Sequence, residues 1–492
     1  MNITKSDLFY VLMSIVVAAV GVVAVSNPNS DIGLYGLMGL GAIAVVMAII
    51  IRPSLGANIL VLAIFTNISD LLTKQGYTGN TGIIKPLVIV VAGALILRYF
   101  YAGQIPIGHS KTAKVEYLLL AYFMAVIASF LVASDKTIAT SEITDLGKDI
   151  VIIYCILFAL RQAQTWKQTA WLMIITTGLL CLLTIYQFAT NNYEQTFFQL
   201  ASIQMDRALG ASPTPRVGGP INAPNLWAQV LVALSTLIVF RLFHEKQLLK
   251  KLTAALVLGI ILYVVFNTYS RGAYLVLAIN AVLLLFEFRK QFNPMILIGV
   301  AIVLILTIPF LPATYRDRFT SLFVVGDENG IYQDTSLRGR SSEMLTGLAM
   351  FTEHPILGVG AGNYKPNYQR YAQLIGIEFR AEARDPHSLY VQLLAETGII
   401  GAVAFVAMII FLLDALNKAC RALEGWPQLA DWLPWISSMR FVIVSYLLTS
   451  FFLHNAYIRY LWLFIAMALA GIQITYTMLN NGERNLSIEA RR

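Results

Sequence analysis

The sequence predicts an all-α polytopic membrane protein of about 12–14 transmembrane helices with one large extramembrane loop, and three observations carry this. Apolar runs near 20 residues recur along the chain, each long enough to cross a hydrocarbon core about 30 Å thick as a helix. Charged residues are only 13% of the 492 residues, against roughly 25% in an ordinary soluble domain. Hydrophobic residues make up 58%, and mean hydropathy is +0.69.

Taken in order, the runs fall near residues 8–26, 32–51, 55–72, 84–100, 115–133, 149–160, 168–189, 222–243, 252–268, 272–288, 294–312, 388–415, 439–456 and 458–479. The 149–160 run is short, and Asn267, Ser270 and Arg271 split the 252–288 region in two. Leu8 to Val25 lacks a small-residue cleavage site before Asn27 and Pro28, so it reads as a retained helix. Three parts follow: an N-terminal bundle over 1–312, a loop domain over 313–388, and C-terminal spans with a tail over 389–492. There is no internal repeat or low-complexity tract.

The net charge of +8 invites a nucleic-acid reading, but topology accounts for much of it. Cytoplasmic connections of membrane proteins are enriched in Lys and Arg. With the N-terminus placed inside and sides alternated, the inside connections hold 19 Lys and Arg and the short outside ones hold 8. Both termini are therefore expected in the cytoplasm, the long loop outside, and no nucleic acid as partner. Cys155, Cys181 and Cys420 show neither metal-ligand spacing nor a disulfide framework.

The outside cations carry information. Arg271, in TYSRGAYL, lies between two apolar runs with almost no polar linker. A charge there needs an anionic partner or an aqueous cavity. Arg216 lies in the Pro/Gly-rich ASPTPRVGGPINAPN, a composition that folds into a constrained loop. Arg459 opens the last span beside His454, where an interfacial snorkelling role suits it. Within the loop, Ser341 to Glu353 reads as an amphipathic helix with Met344, Leu345, Leu348 and Phe351 on its apolar face, stopped by Pro355. The GVGAGNY that follows has no preceding strand and no GKS/T, so a tight turn is expected and not a nucleotide loop. Tyr364, Tyr368 and Tyr371 suit a second surface helix with rings at headgroup level.

The chain turns on DPHSLYVQLLAETGIIG at 385–401, which joins this loop to a span. Asp385 suits an N-cap and Pro386 the first helical position, which places His387 in the first turn at the membrane surface. The helix dipole there would favour its neutral, proton-accepting form. Taken alone, the stretch fits a capped helix with one interfacial histidine equally well. Glu396 lies inside the apolar run, where an ionisable group marks a candidate site.

Together, Arg216, Arg271, Arg338, Arg340, His387, His454 and Arg459 share one predicted side. Arginine forks bind phosphate oxygens and stay charged when partly buried. A neutral histidine beside them suits deprotonation of a hydroxyl while a lipid-linked phosphate or pyrophosphate departs. The outside loops hold no Asp-x-Asp pair or His/Asp cluster with metal spacing, so no metal and no cofactor are expected.

SRGAYL at 270–275, HPILGVGAGNY at 354–364 and DPHSLYVQLLAETGIIG at 385–401 occur in the order found in the O-antigen ligase and polymerase superfamily, which residues 210–475 resemble. The resemblance implies an all-helical membrane glycosyltransferase with a large periplasmic loop, moving a glycan from undecaprenyl pyrophosphate to an acceptor sugar hydroxyl. His387 matches the family's loop histidine, with Ser388 in place of the usual Asn. Arg216, ahead of Pro224 and Asn225, matches a family arginine; Arg271 matches another; and either Arg338 or Arg340 matches the one opening the loop helix. The expectation is an inverting ligase of the bacterial inner membrane, active at the periplasmic face with lipid A–core as acceptor. His387 is the expected base and Arg216, Arg271 and Arg338 or Arg340 hold the pyrophosphate, with Glu396, Asp385 and Arg459 in support. The alternatives are a polymerase or a protein O-oligosaccharyltransferase of the same superfamily. An anion transporter with Arg271 and Glu396 along its pathway is a remoter one, disfavoured by the lack of an inverted repeat.

Overall fold

A computed structural model describes residues 41, 43–67, 84–102, 111–206, 214–289, 335–375, 382–454 and 456–489. The runs at 8–26 and 294–312, and the first half of that at 32–51, lie outside the described residues. The described chain forms α1 (Ser54–Phe65), α2 (Ile84–Ala102), α3 (Ala113–Ser129), α4 (Lys136–Ala159) and α5 (Ala163–Thr190). A short antiparallel pair, β1 (Ile203–Asp206) and β2 (Thr214–Val217), precedes α6 (Pro224–His244), α7 (Leu248–Asn267) and α8 (Arg271–Phe288). Within the expected loop segment lie α9 (Thr335–Glu353) and α10 (Tyr364–Ile375). α11 (Leu389–Glu424), α12 (Leu433–Thr449) and α13 (Arg459–Glu489) complete it.

Seven of these are long and apolar enough to cross a membrane, among the described residues: α3 with its short 3-10 extension, α5, α6, α7, α8, α11 and the apolar part of α13. The protein is an all-α polytopic membrane protein. α6 and α13 form the centre, with 78% of their apolar windows buried. α6 lies against α7 and α12, while α13 lies against α4 and α12 and α11 runs along α3. Trp166, Trp227, Trp432 and Trp462 are fully buried, and the Trp166 indole donates to the Met467 carbonyl at 2.9 Å. Peripheral helices keep large side chains exposed, among them Ile89 and Ile96 on α2 and Leu256 on α7. A helix apolar on all sides and exposed on one suits a hydrocarbon solvent.

α4 begins at Lys136 and absorbs the short 149–160 run as its second half. Asp135 caps it, accepting from the Thr137 and Ile138 amides at 2.9 and 3.1 Å. α11 continues past its apolar run to Glu424, so Cys420 lies buried on a helix.

α11 also breaks inside its span. At Gly398 the backbone turns to φ 61°, ψ −162°. In a regular helix the Ile399 amide would bond the Ala395 carbonyl. Here Ile399 N donates to Pro355 O at 2.8 Å, and Ala395 O and Glu396 O accept from Val359 N and Gly360 N at 2.8 and 3.0 Å. The glycine-rich stretch is thus a tight turn that completes a broken membrane helix. A Cβ on Gly398 would lie 2.3 Å from the Ile356 carbonyl oxygen. Asn363 anchors the same turn to the start of α4, its Oδ1 accepting from the Asp135 amide at 2.6 Å and from Ser134 Oγ at 2.9 Å.

Two expectations about the loop helices are corrected. α9 forms, but the side it buries carries Ser342, Glu343, Thr346, Gly347 and Met350, while Leu345 and Leu348 are exposed. Close approach decides this: a Cβ on Gly347 would stand 2.4 Å from Val391 Cγ1, so only the small-residue face fits against α11. α10 forms as well, yet Tyr364, Tyr368 and Tyr371 are buried together with Met350 and Val359 instead of lying at headgroup level. The three rings recur at helical spacing and fill the space that the small face of α9 leaves.

Candidate active site

His387 stands ahead of a helix, not inside its first turn. α11 starts at Leu389, with Ser388 at the cap position. The Leu389 amide is taken by the Ser450 carbonyl at 2.9 Å, which ties the start of α11 to the end of α12. Asp385 does not cap; its Oδ2 lies 3.5 Å from Lys365 Nζ and 3.7 Å from His454 Nε2. His387 has φ 45°, a left-handed conformation uncommon outside glycine.

That turn aims the imidazole at acceptors. Nδ1 is 2.8 Å from Glu343 Oε2 and 3.0 Å from the Asp385 carbonyl. The hydrogen bond to the Asp385 carbonyl places the ring proton on Nδ1 and leaves the Nε2 lone pair as the acceptor, while Glu343 Oε2 faces the same nitrogen as a charge without the alignment of a hydrogen bond. The Glu343 side chain is 4% exposed and the His387 side chain 25%, so the pair has a sheltered carboxylate and a reachable ring. His454 meets His387 edge to face with centroids 5.5 Å apart. Burial holds His454 below its ordinary 6.5, against the opposing pull of Asp385.

Asp385 and His454 line a cavity of about 500 Å³ whose walls also carry Lys365, Gln392, Glu396 and Glu142. Glu396 is buried and accepts from the Tyr364 amide at 3.4 Å and from Gln392 Nε2 at 3.3 Å. Gln392 in turn accepts from the Ala456 amide at 3.1 Å. Glu396 therefore ties α10 and the α12–α13 connection to α11.

The arginines divide. Arg216 on β2 is 8% exposed; its Nε donates to the Thr268 carbonyl at 2.9 Å and its Nη2 to Asn225 Oδ1 at 3.1 Å. Asn225 also lines a narrow cleft with Gln229, Ser270, Gly272 and Arg340. Gln229 Nε2 donates to Ser450 Oγ at 2.8 Å, so this cleft adjoins the bond that starts α11. Arg271 opens α8 one residue beyond Ser270 and is half-buried. Arg340 lines this cleft, while the Arg338 side chain lies outside the described residues. Arg459 opens α13, and its charge acts on buried Asp149.

Sequence reasoning named His387 as a candidate and did not single out Glu343, the carboxylate whose Oε2 lies 2.8 Å from its Nδ1. The available signal was a carboxylate at helical spacing from Ser342, Thr346, Gly347 and Met350, on the face opposite Leu345 and Leu348. Among the described residues, no group of three or more His, Cys, Asp or Glu is placed to hold a metal ion.

Residues 254–406 match the family model described as O-antigen ligase. This segment holds the Ser270–Gly272 turn, α9, α10, His387, Glu396 and the break at Gly398. No curated protein matches the chain.

Proposed function

We propose, from the premise that this membrane protein carries an O-antigen ligase domain over residues 254–406, that it transfers a glycan from undecaprenyl pyrophosphate to an acceptor sugar hydroxyl, with lipid A–core as acceptor. The observation that carries the reading is the contact of Glu343 Oε2 with His387 Nδ1 at 2.8 Å. A carboxylate this close to Nδ1 stabilises the imidazolium that forms when the opposite nitrogen takes a proton, which suits that nitrogen to act as general base. In the step, the acceptor oxygen attacks the anomeric carbon, its proton passes to His387 Nε2, and the bond from that carbon to the pyrophosphate oxygen breaks. One displacement inverts the anomeric centre.

The departing pyrophosphate carries the charge that most needs stabilising. Arg216, Arg340 and Arg271, gathered around the Asn225 cleft and the Ser270 turn, suit that role through fixed donors that require no metal. Arg216 is already held by Thr268 and Asn225, so little reorganisation is needed on binding. The loop domain and His387 belong at the periplasmic face of the bacterial inner membrane, with both termini in the cytoplasm, on the Lys and Arg asymmetry of the connections.

The test is transfer by the purified full chain in detergent, with undecaprenyl-pyrophosphate glycan, lipid A–core and EDTA. Product from the wild type and none from His387→Ala is expected. Normal transfer by His387→Ala would overturn the reading. Product that forms on a second lipid-linked glycan, and not on lipid A–core, would move the assignment to a polymerase.

A further inference from the structure

A cavity of about 840 Å³ lies where α5, α6, α7 and α12 meet. It is far from His387. Trp435 at the start of α12 lines it, whereas Ser450, just past the end of that helix, holds the start of α11. At 1.5 Å per residue these two points are about 22 Å apart along the helix.

Its wall contains an arginine whose donors are unspent. Arg241 is 2% exposed, its guanidinium stands 3.4 Å over the Trp435 ring, and its Nε and Nη2 have no hydrogen-bond partner. Stacking satisfies the face of a guanidinium but leaves its N–H edge to find an acceptor. Buried polar groups without partners are rare, and each calls for an explanation such as a bound ion or ligand. Lys167, Lys246 and Lys250 line the same cavity, against Glu245 and Asp431. Asp431 is taken by Lys246 at 2.9 Å. The remaining balance is positive.

The order of residues along α5 specifies the ligand further. Gln164, Lys167 and Gln168 line the cavity first, then Trp171, then Leu172 and Ile175 one to two turns on. Polar, amphipathic aromatic and apolar side chains in that sequence describe passage from water through a headgroup layer into hydrocarbon. Leu249 adds an exposed apolar surface at the mouth. A soluble anion would satisfy Arg241 and leave this apolar wall unused.

We propose that this cavity binds the phosphodiester headgroup of an anionic phospholipid, with Arg241 and Lys167 holding the phosphate and an acyl chain lying along Leu172 and Ile175. The site is separate from the His387 region and does not depend on the reaction assigned there.

Delipidated full-length protein would be titrated with dioleoyl phosphatidylglycerol or dioleoyl phosphatidylcholine and read by native mass spectrometry. A thermal-shift series with inorganic phosphate would run beside it. Wild type should retain phosphatidylglycerol well above phosphatidylcholine, and Arg241→Gln should lower that retention about fivefold. Because Arg241 is buried and its variant can fail to fold, Lys167→Gln with Lys250→Gln serves as a second probe, with a loss of similar or larger size expected. Equal retention of the two lipids, or undiminished phosphatidylglycerol retention by the double variant, would overturn the proposal. Stabilisation by inorganic phosphate as large as that by phosphatidylglycerol would also overturn it, in favour of a soluble anion.

Discussion

The two ends of α12 hold basic side chains in opposite states. Near Ser450 the rings and ammonium groups face carboxylates: His387 against Glu343, and Lys365 and His454 against Asp385. Near Trp435 a buried arginine lies on an aromatic face with donors left over. A proton-transfer site needs its charges balanced before substrate arrives, because the base must be neutral and its tautomer fixed. A holding site needs the reverse, with donors kept for the ligand. The difference teaches which end suits chemistry and which suits retention.

The largest effect expected at the first end is from His387→Ala, with transfer falling by about 10²–10⁴-fold in the detergent assay while donor binding persists. Retained binding with lost turnover would separate base from ligand contact. Glu343→Gln keeps the shape and removes the charge that faces Nδ1, and should cost roughly 10–100-fold in kcat. Were Glu343→Gln as active as wild type, the two ends would no longer differ in kind. Arg216→Lys loses the fork that reaches both Thr268 and Asn225 and should weaken donor use by about tenfold in kcat/KM.

Two stability measurements sharpen the contrast further. Gly398→Ala places a side chain against Ile356 at a positive φ and should cost on the order of 1–3 kcal/mol, read as a lowered melting temperature. The smallest effect concerns pH. Burial lowers the folded-state value of His454 below 6.5, so the folded protein binds fewer protons than the unfolded chain in that window. Stability is then highest above 6.5 and declines as pH falls through and below it. His454→Asn should flatten this acid limb in a melting series from neutral pH downward.

Much of the frame was legible because hydrocarbon imposes a simple length and composition rule. The runs at 168–189, 222–243, 252–268 and 272–288 became α5 to α8 with ends shifted by a few residues. His387 was legible as a histidine between a polar loop and a span. What stayed hidden depended on contacts distant in sequence. The start of α11 was misplaced because Ser450 takes the Leu389 amide and Lys365 and His454 engage Asp385, and none of these partners is local. Glu343 was hidden because Leu345 and Leu348 suggested the inward face, whereas the close approach at Gly347 selects the other. The break at Gly398 was invisible, since a lone glycine in an apolar run is tolerated in an unbroken helix.

That break has a consequence for how large substrates reach the base. Three backbone hydrogen bonds join the turn at Pro355–Gly360 to the interrupted segment of α11. Lifting the loop away would strand carbonyls and an amide in surroundings with no water to replace their partners. The loop here behaves as a wall and not as a swinging door. Under the proposed function, a lipid-borne chain and its acceptor would then arrive sideways, sliding in through gaps between helices, and the product would leave along the plane of the bilayer.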